Sequence, residues 1–265
     1  MTKIHPTAIV EPGAVLGENV EIGPYCYVGP HVRLGAGCRL IAQCHLTGYT
    51  TFGENNLIHP FATIGGEPQD HSFDPASVSY LKIGDHNVFH ENVTLHRGTK
   101  AESETVVGNH CLFMAGSHVG HNSRIGNNVI LVNCAMVGGY GQIFDNAILS
   151  GLVAIHQFCR VGRFAMVSGG SVFSVDVPPF MICEGRNGHA RAVNLVGLRR
   201  AGFTSETIRV IRDLHKIFFR NGLSVSNAIA EVRAKLPQIP EVLEFIEFYE
   251  SASRGITPPE RPEHR

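Results

Sequence analysis

Tryptophan is absent, and so is any surplus of charge: 22 Lys and Arg stand against 23 Asp and Glu, a formal net charge of −1. A chain so balanced has no bulk field with which to hold a nucleic-acid backbone, and no nucleic-acid partner is expected. No stretch reaches ~18 consecutive apolar residues, so none reads as a membrane-spanning helix. The start, MTKIHPTAIVEPG, lacks the basic-then-apolar design of a signal peptide. These absences predict a cytoplasmic protein without stable membrane insertion. Seven cysteines occur with no C-x-x-C among them, an odd count that suits neither a disulfide framework nor a zinc site.

What is present is a period of six, and internal repeats take precedence over local propensity. From Ile4 the steps land on Val10, Leu16, Ile22, Val28, Leu34, Leu40, Leu46, Phe52, Ile58 and Ile64. The beat resumes at Ile83, Phe89 and Leu95, then runs from Val107 through Phe113, Val119, Ile125 and onward to Phe173. Neither a helix nor a plain alternating strand holds that period. A second slot two residues earlier carries small residues, including Cys26, Cys38, Cys44, Cys111 and Cys159. Alternation along a strand puts both slots on one face, so these five cysteines read as small buried hydrophobes. The pattern predicts a parallel β-helix of three short strands and eighteen residues per coil. Its 26 repeat positions make about nine coils, a prism ~40 Å tall at the spacing of neighbouring strands.

Two stretches break the pattern, 65–82, where the phase slips by one residue, and 98–105, where Ala101 replaces the aliphatic residue. Both read as loops leaving the prism wall, the usual place for function on a rigid scaffold. After Phe173 the beat stops, and Asp176-Val-Pro-Pro-Phe180 reads as a sharp exit that cannot extend a sheet. Helices are predicted over about 190–201, 205–220, 224–235 and 240–254, with Thr204 or Ser205 as N-cap and Gly222 as stop. The tail from Thr257 is expected to fray. The predicted organisation is a β-helix over 1–189, with external loops at about 65–82 and 98–105, followed by a helical domain over 190–265.

Residues eighteen apart stack vertically. In G-S-H-V-G-H-N-S-R-I-G, residues 116–126, His121 therefore shares a column with Gly139 and Gln157. Asn122, Tyr140 and Phe158 form the next column, and Gly120, Gly138 and His156 the one before. A histidine beside bare glycine backbone leaves room for a ligand and offers an N–H to a developing oxyanion. His5, His31, His45 and His264 read as surface residues. His90, His96, His110, His118 and His121 are the candidates for a metal, but the H-x₄-H spacing of zinc-binding hexapeptide-repeat carbonic anhydrases is missing, and neither metal nor cofactor is expected. Between residues 160 and 200 six arginines (160, 163, 186, 191, 199, 200) face only Asp176 and Glu184, a balance that suits an acidic partner.

Several motifs are more specific than the hexads: I-H-P-T-A-I-V at the start, P-Q-D at 68–70, L-H-R-G-T at 95–99, H-V-G-H at 118–121, A-I-H-Q-F-C at 154–159, D-V-P-P-F at 176–180 and G-L-R-R-A-G-F at 197–203. Through them the chain resembles, over essentially its whole length, the acyl-[acyl-carrier-protein]–UDP-N-acetylglucosamine O-acyltransferases that begin lipid A synthesis. The resemblance implies left-handed coils and a homotrimer with sites between subunits. It also implies an acyl carrier protein donor and a UDP-N-acetylglucosamine acceptor. His121 would be the general base on the sugar 3-hydroxyl, a role suited to imidazole near neutral pH. Gly139 would supply the oxyanion N–H. Gln69, Asp70, His118, Tyr140, His156 and Gln157 would contact substrate, Asn194 and Arg200 would hold the nucleotide, and Gly169 would cap the acyl tunnel, its bare backbone pointing to a longer chain.

The chain departs from that family's usual residues at four places: Asn122 for Asp, Ser72 for Lys, Tyr140 for His and Ala201 for one of two arginines. Asn122 can still accept from the imidazole but carries no charge. Two alternatives follow from these departures, a paralogue that binds the sugar nucleotide without efficient turnover and an acyltransferase with an amino-sugar acceptor.

Overall fold

The structure, a computed structural model, describes residues 1–186 and 188–257; His264 lies outside them. Twenty-six strands of two to four residues, from Lys3–Ile4 to Val172–Phe173, wind into three flat parallel walls. Lys3 pairs with Glu21, His118 with Met136 and Arg124 with Gln142, each eighteen residues on. The six-residue beat is therefore one wall of a three-walled coil. In each coil the large residues meet at the centre: Phe113, Val119 and Ile125, one from each wall, are at most 3 % exposed. The five cysteines of the small slot are buried among them, and all seven are free thiols. Buried Asn56 and Asn87 fill the same slot, and Asn87 Nδ2 donates to Asn56 Oδ1 at 3.0 Å and to the Gly108 carbonyl. Asn56 Nδ2 donates to the Gly84 carbonyl at 2.9 Å, and Asn87 Oδ1 accepts from the Cys111 N–H, so both amides are paired at each end, as burial demands.

Left-handed coils turn their corners through positive φ. Asn19, Asn55, Asn122, Asn128 and Asn146 sit there, as do Tyr25, Tyr140, Leu152 and Phe158. Asn tolerates that region better than most side-chain-bearing residues, which accounts for its recurrence at these corners.

Both interruptions leave the walls in register. Leu57 pairs with Val88, 31 residues on, five hexads and one residue, and that extra residue is the phase slip. Thr94 pairs with His118, 24 residues on, so the second loop is one whole hexad pushed out of the wall.

Past Phe173 the structure differs from the sequence reading in three ways. The exit over Asp176–Phe180 does not end the sheet: after its prolines, Met181–Glu184 continues the first wall parallel to Met166–Val167. Next, His189–Val193 pairs antiparallel with it and spans the expected boundary at 189/190. Its alanines favour helix, but the open edge of Met181–Glu184 supplies hydrogen bonds that a helix would forgo. The helices are α1 (Leu195–Arg200), α2 (Ser205–Arg220), α3 (Val225–Lys235) and α4 (Pro240–Glu250), and Thr204 caps α2 by accepting from the Thr207 N–H at 3.1 Å. Third, Thr257 is fully buried, its N–H and hydroxyl both donating to the Asp176 carbonyl at 2.9 Å.

Ion pairs dock α4 on the prism. Asp176, 1 % exposed, accepts from the Arg160 backbone N–H and its Nε at 2.7 Å, and Arg160 also donates to the Phe248 carbonyl at 2.8 Å. Arg163 makes a forked contact with Glu244, at 2.7 to 3.1 Å. These two arginines are thereby removed from the basic face that the sequence count assembled. Arg191 pairs with Glu184 at 3.1 Å.

Candidate active site

His118 and Val119 form one strand; Val119 turns into the core, so His118 faces outward, and His121 follows on the corner. The next coil passes over it with Gly139, where an added Cβ would stand 2.6 Å from His121 Nε2. The column arithmetic thus holds in space. On the other side of the ring, Nδ1 lies 3.0 Å from Asn122 Oδ1. The Tyr140 ring meets that of His121 edge-on at 5.4 Å and stacks on Phe158 at 4.9 Å.

The loop over 67–79 delivers Asp70, whose Oδ2 is 3.9 Å from His121 Nε2. That gap is too long for a hydrogen bond and leaves room for a hydroxyl to approach Nε2. The Ser72 N–H and hydroxyl donate to Asp70 Oδ1 at 2.9 and 2.8 Å. They, with a smaller contribution from His121, hold the carboxyl below its usual range. Arg97, 6 % exposed, anchors the loop from beneath: it donates to the Ser77 carbonyl at 3.0 Å, reaches Glu67 at 3.5 Å and lies over the Phe73 ring.

His118 Nδ1 is 2.7 Å from Thr94 Oγ1, and its ring packs edge-on to His96 at 4.9 Å. Burial, then the neighbouring His121, lowers the pKa of His118. His96, 8 % exposed, is lowered to about 4 by burial first and by His118 and His121 after it. Such a group is neutral when folded and binds its proton near 6.5 when unfolded. Its contribution to stability is therefore complete above about pH 6.5 and is lost as pH falls toward 4. Urea denaturation at pH 7.5 and pH 5 is expected to differ by an extra 2 kcal/mol or so in the wild type relative to His96→Gln.

The remaining predicted residues divide. His156 and Gln157 are exposed one coil above Gly139, where the Phe158 N–H donates to the Gly139 carbonyl at 3.0 Å, and Arg254 Nη2 meets His156 Nδ1 at 3.1 Å. Gln69 is exposed beside Asp70. Gly169 is exposed too, but it stacks on Gly151, along the corner after the first wall and not the His121 corner. Asn194 is only 4 % exposed and fully engaged: its Oδ1 caps α1 through the Gly197 N–H and its Nδ2 donates to the Phe164 carbonyl. What it holds in place is α1, whose last turn exposes Arg199 and Arg200. Of the metal candidates only His90 belongs to a ligand-like cluster among the described residues, with His59 and Glu91. Its two imidazoles stack 4.5 Å apart with planes 16° from parallel, so their in-plane lone pairs run side by side instead of converging. Glu91 engages both Nδ1 atoms, at 3.5 and 3.4 Å.

Sequence reasoning missed Thr94, Arg97, Thr99 and Thr105 as parts of this site. Thr99 is 6 % exposed, and its N–H and hydroxyl lie 3.0 and 2.7 Å from Asn122 Oδ1; the Asn122 N–H donates to Thr105 Oγ1 at 2.7 Å. The available signal was L-H-R-G-T, but Thr99 begins the looped-out hexad, where column arithmetic fails.

A left-handed prism of hexapeptide repeats carrying an outward histidine beside bare backbone defines a hexapeptide-repeat transferase. The profile of bacterial hexapeptide transferases matches residues 1–36 and 104–139, and that of UDP-N-acetylglucosamine O-acyltransferase domain 2 matches 176–257. The acyl-[acyl-carrier-protein]–UDP-N-acetylglucosamine O-acyltransferase of an Anaeromyxobacter species is 52 % identical over 255 residues, 96 % of this chain and 99 % of that one. The Bacteroides fragilis UDP-N-acetylglucosamine acyltransferase superposes with a TM-score of 0.91 at 41 % identity, over 96 % of this chain and 99 % of that one. For the Francisella novicida enzyme the values are 0.92, 33 %, 98 % and 95 %. The chain belongs to the acyl-[acyl-carrier-protein]–UDP-N-acetylglucosamine O-acyltransferase family.

Proposed function

We propose that this chain moves a 3-hydroxyacyl group from acyl carrier protein to the 3-hydroxyl of UDP-N-acetylglucosamine, the first step of lipid A biosynthesis, with His121 as general base. The observation that carries the reading is the placement of His121 Nε2 between the uncovered Gly139 backbone and the Asp70 carboxylate. Nε2 takes the proton of the sugar hydroxyl as its oxygen attacks the thioester carbonyl. The tetrahedral oxyanion faces the Gly139 N–H, which donates no backbone hydrogen bond among the described residues. Collapse expels the carrier thiolate, and the imidazolium returns the proton to it. The Asp70 carboxylate stabilises the imidazolium in between, and His118, His156, Gln157, Gln69 and Tyr140 line the approach.

The donor's docking surface is assigned to the cleft of about 490 Å³ beside α2, lined by Arg191, Arg209, Arg212, His215 and Lys216 with Asp213. Its positive balance suits an acidic carrier, with Arg199 and Arg200 nearby in the chain. We place the protein in the cytoplasm as a homotrimer. Exposed Tyr25, Phe61 and Leu152, 68, 53 and 66 % accessible, stand on one corner of the prism, spaced by Gln43, Asn92, Gly116 and Cys134, and a second subunit would cover them. In this arrangement residues 1–189 carry the chemistry, and 190–265 the donor and nucleotide contacts. Among the described residues no helix is long and apolar enough to cross a membrane.

Purified protein given 3-hydroxyacyl carrier protein and UDP-N-acetylglucosamine is expected to form the 3-O-acyl sugar nucleotide, read by mass spectrometry. Nucleotide binding without transfer, or transfer only to an amino-sugar analogue, would overturn the reading.

A further inference from the structure

We propose that Thr99 is a positioning residue that sets which ring nitrogen of His121 carries the proton, acting through the side chain of Asn122. The inference rests on His121 as the base and concerns how an amide manages the neighbouring task.

A carboxylate beside an imidazole has two equivalent acceptor oxygens. An amide has two ends of nearly equal size and opposite character. With its oxygen toward His121 Nδ1, Asn122 favours the Nδ1–H tautomer and leaves the lone pair on Nε2, the atom facing Gly139 and Asp70. With its NH₂ group there, the tautomer reverses, and Nε2 carries a hydrogen where the base needs a lone pair. Proximity to His121 alone does not choose between them.

Thr99 does. Its backbone N–H lies 3.0 Å from the same Asn122 atom that stands 3.0 Å from His121 Nδ1. A backbone N–H can only donate, so that atom is the amide oxygen, and His121 Nδ1 must donate to it. The Thr99 hydroxyl reaches the same oxygen at 2.7 Å and lies 3.3 Å from the Tyr140 hydroxyl, from which it can accept. Turning the amide over would set NH₂ against the Thr99 N–H and leave that N–H without an acceptor in a place where Thr99 is 6 % exposed, whereas the hydroxyl, which can also accept, would adapt to either end. The Asn122 backbone is held independently, with φ 59° at its corner and its N–H on Thr105 Oγ1. The looped-out hexad that begins at Thr99 thus supplies the lock for a histidine on the wall it leaves.

The test combines ¹⁵N NMR of the His121 ring with steady-state kinetics. Thr99→Pro removes the N–H, the donor that only the amide oxygen can meet, together with the hydroxyl. It is expected to shift His121 toward the Nε2–H tautomer and to lower kcat about 10- to 100-fold, with both KM values within about twofold. Thr99→Val, which keeps the N–H and loses only the hydroxyl, is expected to leave the tautomer unchanged and kcat within about threefold of wild type. When Asn122→Asp is already in place, there is no wrong end to present, and adding Thr99→Pro is expected to cost less than about threefold. In Thr99→Pro an unchanged tautomer with unchanged kcat, or a loss just as large when Asn122→Asp is present, overturns the proposal. Turnover that survives His121→Ala overturns instead the assignment of the base, since the tautomer measurement stands without it.

Discussion

Gly139→Ala is expected to abolish most turnover while leaving the fold intact. The new Cβ would stand 2.6 Å from His121 Nε2 and 2.7 Å from Cε1, both inside any real contact distance, and 3.2 Å from Cδ2. The ring has to swing away, and its other nitrogen then loses Asn122, or else the methyl covers the lone pair that takes the substrate proton. Backbone strain does not contribute, because Gly139 is not among the positive-φ glycines. The effect is therefore chemical: a fall in kcat on the order of 10³-fold, with the melting temperature within about 3 °C of wild type. Gly151→Ala serves as the folding control, its Cβ meeting nothing nearer than 3.6 Å. Turnover within tenfold of wild type in Gly139→Ala would show that Nε2 is not the working atom.

His121→Ala is the second large effect. Removing a general base costs typically 10² to 10⁴ in rate, and among the described residues no other imidazole lies against Gly139 to substitute. His118 is turned to Thr94 through Nδ1, and His96 is buried behind it. Affinity for UDP-N-acetylglucosamine, measured by calorimetry, is expected to stay within a few-fold, because the contact matters in the transition state more than in the ground state. Loss of binding in proportion to rate would reassign His121 to substrate holding.

The likeness of chain and structure is uneven for reasons visible in single residues. Gly139 was found above His121 by counting eighteen, since a β-helix coil is a nearest-neighbour structure and register follows from period. Asp70 was named through the family resemblance, but its arrival 3.9 Å from Nε2 depends on Arg97 gripping Ser77 and Phe73 from inside the wall. Nothing periodic encodes that grip. Arg160 and Arg163 looked like a free basic face because their partners, Asp176 and Glu244, are brought in by the return of the chain and by α4. Asn194, named through the same resemblance, also caps α1, a role that follows from where the chain enters that helix.

By itself the sequence determined the prism: the wall period, the inward slots, the buried cysteines and the corner on which His121 stands. It could do so because each coil needs only its neighbours to bury its core, so sixfold spacing in the chain becomes position in space. Tertiary structure alone decided the state of that histidine. The chemistry of one ring depends on Asn122 beside it, Gly139 above it, Asp70 from one loop and Thr99 from another. Both loops stand outside the period, and where they come to rest is set by hydrogen bonds among residues that no regular spacing links.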